Sequence, residues 1–66
     1  MNELIPGVLT RFLLTIDLGE YESVLAVFIE RKINKNIDTL VFYIPKYNKI
    51  HTTALTPIDL EIISNE

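Results

Sequence analysis

The sequence predicts an all-β fold of five strands, with one 3₁₀ turn before the last strand. Three observations carry that expectation. Residues 23–29 and 39–44 are dense in β-branched and aromatic side chains. Between them, Asn34-Lys35-Asn36-Ile37-Asp38 supplies turn chemistry, because Asn and Asp tolerate left-handed backbone and bond their own chain. Near the end, Thr56-Pro57-Ile58-Asp59 reads as one tight turn, with Thr56 as its cap and Pro57 as its first residue.

The opening segment fits two periods. Ile5, Val8, Leu9, Phe12, Leu13 and Ile16 form a helical stripe that Gly19 could stop. Val8, Thr10, Phe12, Leu14 and Ile16 share one strand parity. Gly7 would fall in the first turn of the helix, and Thr10, Thr15 and Ile16 are poor helix formers. The expectation is therefore a strand, with Pro6-Gly7 as the break before it. Residues 17–22 read as an acidic loop, where Gly19 takes positive φ cheaply. Its three acids match no EF-hand spacing.

The second strand, 24–32, points Val24, Ala26 and Phe28 one way and Leu25, Val27 and Ile29 the other. A run apolar on both faces belongs to a buried strand or to one whose outer face meets a partner. It emerges at Glu30-Arg31-Lys32. The third strand, 39–44, sets Leu40, Phe42 and Ile44 against Val41 and Tyr43, and Pro45 ends it. Lys46-Tyr47-Asn48-Lys49 forms the next turn, with Asn48 left-handed. The fourth strand spans 50–55 and the last 60–63, and the final three residues fray.

A chain of 66 residues is one domain, 1–66, and a marginal one, since small domains bury a modest fraction of their surface. Cysteine is absent and there is one histidine, so neither disulfides nor a metal is expected as a staple, and no cofactor is implied. Tight packing or a partner chain remains. With 48% hydrophobic residues, some apolar side chains are expected in an interface. The expected partner is a second copy or another protein, held on the face of Leu25, Val27, Ile29, Val41 and Tyr43. No leader peptide is visible, and no apolar run approaches the roughly 20 residues of a spanning helix. The expectation is a cytoplasmic protein without membrane contact. Frequent Ile, Asn and Lys fit an AT-rich genome, such as that of a phage or mobile element.

Net charge is −3, which argues mildly against general nucleic-acid binding. The charge is nevertheless uneven, with a basic middle and acidic ends. Arg31, Lys32 and Lys35 lie near one turn, and Lys46, Tyr47 and Lys49 near the next. Cations beside aromatics suit single-stranded or RNA ligands, which is the alternative reading. The bland reading is solvated turn lysines that guard strand ends. No catalytic site is expected. His51 is the one side chain whose ordinary pKa lies near neutrality, and no acid or nucleophile neighbours it in sequence. A dispersed arrangement of Ser23, His51 and an Asp is the sole catalytic option, since triads are spatial.

The order of elements resembles the Src-homology-three-like (SH3-like) small β-barrels, which include Tudor-type and KOW-type modules. The resemblance lies in Ala54-Leu55-Thr56-Pro57-Ile58-Asp59-Leu60-Glu61-Ile62-Ile63, a strand entering one helical turn and a closing strand. Pro6-Gly7-Val8-Leu9-Thr10-Arg11-Phe12 is similar to their opening strand. It implies a closed small barrel and carries no activity, because such modules serve many functions. Tyr21, Tyr43 and Tyr47 are too scattered to claim a methyl-lysine cage.

Overall fold

A computed structural model describes residues 4–64. Five strands follow in order: β1 (Leu9–Asp17), β2 (Glu20–Asn34), β3 (Ile37–Ile44), β4 (Lys49–Thr53) and β5 (Ile58–Ser64). They form one antiparallel sheet in the order β4-β3-β2-β1-β5. The sheet is open, with β4 and β5 as its edges.

The predicted strand at residues 8–16 forms, and its parity decides its burial. Val8, Thr10 and Phe12 are buried, whereas Arg11 is exposed. Gly7 takes φ +95 and donates its N–H to the Phe28 carbonyl at 2.8 Å. The expected acidic loop is shorter than 17–22. Only Leu18 and Gly19 lie outside the strands, and Gly19 takes φ +73. Tyr21 and Glu22 belong to β2, because both find partners on β1.

The β2–β3 turn is also tighter than expected. Asn34 pairs with Ile37, which leaves two residues, Lys35 and Asn36, at φ 51 and 70. Positive φ at both central positions is the hairpin turn whose twist matches the flanking strands. The strands consequently run almost to the tip.

The expected 3₁₀ turn before the last strand is not where the chain forms one. It lies at Pro45–Tyr47, between β3 and β4. Pro45 fixes φ and needs no N–H partner at the first position. Asn48 then turns left-handed, as the sequence predicts, and donates its N–H to the Pro45 carbonyl at 3.1 Å. Near Thr56 the chain makes a bend instead. The Leu55 N–H donates to the Thr53 hydroxyl at 3.2 Å, so β4 stops at Thr53 rather than Leu55. Ile58 and Glu61 are drawn into β5 by Leu13 and Arg11 of β1.

The core sits on the concave face. Val8, Phe12, Val24, Ala26, Phe28, Phe42 and Ile44 form one buried cluster. The sheet curls enough for inward side chains to meet across strands. Phe12 of β1 lies edge-on to Phe42 of β3 at 5.0 Å between centroids, and it stacks on His51 of β4 at 5.7 Å. One cause of the curl is visible in the register. Phe28 pairs with Phe42 but Glu30 pairs with Val41, so β2 carries one extra residue at Ile29. Such a bulge bends its strand and increases the local twist.

Candidate functional site on the convex face

The convex face is the back of the core strands. Where Val24, Ala26 and Phe28 turn inward, Leu25 and Val27 must turn outward. The register aligns their neighbours. Leu9 pairs with Val27, Val27 with Tyr43, and Tyr43 with Ile50. One apolar row therefore crosses four strands at the level of the core. Leu25 lies one step along β2 from that row and is 48% exposed. Beside it, a shallow groove of about 350 Å³ is lined by Leu9, Ser23, Leu25, Pro45 and Lys46.

The five residues expected on this face are not equivalent. Leu25 is exposed, and Val27 and Tyr43 are half-buried. Ile29 occupies the bulge, outside the alternation of Leu25 and Val27. Val41 is only 7% exposed and offers a partner little surface. Sequence reasoning missed Leu9, Pro45 and Ile50. Leu9 was open to discovery, since the parity that buries Val8, Thr10 and Phe12 sends Leu9 to the other side. Ile50 needed the β3–β4 register, which no local pattern supplies.

Tyr43 and the 3₁₀ turn are held together. The Tyr43 hydroxyl donates to Asn48 Oδ1 at 2.7 Å. Glu22 of β2 accepts from both Lys46 and the Tyr47 hydroxyl, and Lys46 also lies over the Tyr47 ring. These contacts fix one end of the groove.

The basic residues are divided between the two ends of β3. Lys35 is at the β2–β3 tip, and Lys46, Tyr47 and Lys49 lie beyond Ile44. Eight strand residues separate them, roughly 26 Å at 3.3 Å per residue. Several of the cations already hold carboxylates. Arg31 Nε donates to Asp38 at 2.7 and 2.9 Å, Lys32 lies 3.8 Å from Glu30, and Lys46 pairs with Glu22. Hydrogen bonding from Arg31 holds the Asp38 carboxyl below the usual carboxylate range.

His51 lies on the concave side against Phe12. Desolvation, assisted by nearby Lys49, pushes its pKa below the ordinary imidazole value. Ser23 lies on the convex groove, so the sheet separates it from His51. Among the described residues, no group of three or more His, Cys, Asp and Glu side chains is placed to hold a metal ion. No helix among them is long and apolar enough to cross a membrane.

Fold and face together define a small all-β protein built on one open, curled antiparallel sheet, with an apolar row on its convex side. The chain matches no protein-family model, no curated protein and no solved structure.

Proposed function

We propose that this chain is a non-catalytic interaction module on an SH3-like small-barrel plan, which binds a protein partner or a second copy through its convex face. One observation carries the reading: the row Leu9–Val27–Tyr43–Ile50, flanked by exposed Leu25. Apolar side chains in register across four strands, on the face turned away from the core, are a cost in water that a partner removes. The barrel plan is supported by the strand order and by the curl that brings His51 of β4 onto Phe12 of β1.

The nucleic-acid alternative on Arg31, Lys32, Lys35, Lys46, Tyr47 and Lys49 draws less support. Its two halves lie at opposite ends of β3, and Arg31, Lys32 and Lys46 are already paired with acids.

Leu25→Glu tests the reading, because Leu25 lies outside the core and its substitution spares the fold. The native chain is expected to bind a hydrophobic dye at micromolar concentration. The variant should lose that binding with its circular dichroism unchanged. A native chain that binds no dye, or a variant that binds it as the native chain does, refutes the convex face as a binding surface.

A further inference from the structure

The two edges of the sheet are built differently. Along β5 the register shifts twice against β1, and Asp59 takes left-handed backbone at φ 53. Asp59 and Glu61 add charge there. Bulges and charges are the devices that keep an edge from pairing with another chain. β4 lacks them. Its residues pair with β3 in unbroken register, from Ile44 with Lys49 to Leu40 with Thr53. No Asp, Glu, Lys or Arg occurs between Ile50 and Ile58, and no proline lies within the strand. Its outer side therefore carries backbone N–H and C=O groups with no strand beside them among the described residues. The seam next to it is open, with a cleft of about 330 Å³ among Leu13, Leu14, His51, Thr53, Leu55 and Ile58.

We infer that β4 is a strand-addition edge, and that its occupant is β4 of a second copy, paired antiparallel about a two-fold axis through His51. The pairing would join two sheets into one of ten strands. A two-fold axis perpendicular to the sheet keeps each face on its own side, so the pairing must centre on a residue. β4 is five residues long, and His51 is its midpoint. Centred there, Lys49 faces Thr53 and Ile50 faces Thr52. Lys49 thus meets a hydroxyl rather than its own copy, and the two Ile–Thr contacts are favourable β-branched pairs. Centring on Thr52 would recruit Ala54, which lies in the bend beyond the strand. Centring on Ile50 would leave Thr53 facing Tyr47 in the 3₁₀ turn. This edge shares Ile50 with the convex row, but the pairing runs through the backbone of β4 and does not depend on Leu25.

Sedimentation equilibrium of the full chain, from low micromolar to submillimolar, tests it. The native chain is expected to dimerise. Ile50→Lys with Thr52→Lys sets lysine against lysine twice across the axis and should weaken the dimer by roughly tenfold or more. Ile50→Glu with Thr52→Lys sets opposite charges across the same contacts and should restore it. Both sites are exposed in the protomer, so the variants retain the fold. Amide exchange at residues 50–53 should slow as the native concentration rises. A native chain monomeric throughout overturns the inference. So does a dimer indifferent to the double-lysine variant, a glutamate–lysine variant as weak as the double-lysine one, or a dimer lost with Leu25→Glu alone.

Discussion

Thr10 is a polar residue with no exposed surface, in the middle of an apolar cluster. Its hydroxyl donates to the Ala26 carbonyl at 2.9 Å and so ties β1 to β2 through a side chain as well as the ladder. Thr10→Val keeps the shape and removes the donor. It should cost about 1 kcal/mol in chemical denaturation, the usual net worth of one hydrogen bond. His51 carries a pH dependence of its own. Its folded pKa lies below its unfolded one. Its contribution is therefore complete above the unfolded value of about 6.5 and is lost as pH falls through the folded value. Melting temperatures measured between about pH 7 and 5 should fall for the native chain. His51→Gln should flatten that decline, and an unchanged profile would assign it to other groups. Asp38 acts in a separate, more acidic window, since its lowered carboxyl stabilises above the ordinary carboxylate value and ceases to do so as pH falls through the folded one. Outward-facing Leu25 was legible from alternation alone. Burial of Val41 was not, because a strand apolar on both faces does not say which outward side chains its neighbours cover.

Among the elements, the β2–β3 hairpin shows what sequence could and could not reveal. The two arms were plain from their β-branched and aromatic content. The tip was misjudged, because Asn34 and Asp38 advertise turn chemistry while the register uses only Lys35 and Asn36. Lysine in left-handed backbone is strained, and asparagine less so. Lys35→Asn with Asn36→Gly supplies the residues this turn prefers and should raise stability by up to about 1 kcal/mol. Thermal denaturation checks it, and a loss of stability would mean that the turn is of another kind. The bulge at Ile29 was hidden for a related reason. Residues 24–29 are all apolar, so a one-residue slip leaves no mark in the pattern. The displaced 3₁₀ turn reflects competition between two prolines. Pro45 had Asn48 to close its turn, whereas Pro57 followed a bend already closed by Thr53.

At the scale of the whole molecule, the concave core and the convex row are two sides of the same register. Phe12, Phe28 and Phe42 interlock edge to face, with centroids 5.0 and 5.4 Å apart. Phe12→Ala or Phe42→Ala should cost about 3–5 kcal/mol, enough to unfold a marginal domain of this size. The all-β class and the succession of five strands along the chain were readable from spacing and turn residues. Closure was not, because whether β4 meets β5 depends on how far bulges curl the sheet. The face opposite the phenylalanines is the claim on which the functional reading rests. Its most direct test is a photo-crosslinking residue placed at Leu25, with a control at exposed Lys35 on the β2–β3 tip, in the cells that make the protein. One discrete adduct is predicted from position 25, with a second copy or a single partner, and none from position 35. Equal labelling at both positions, or no adduct at position 25, would contradict it.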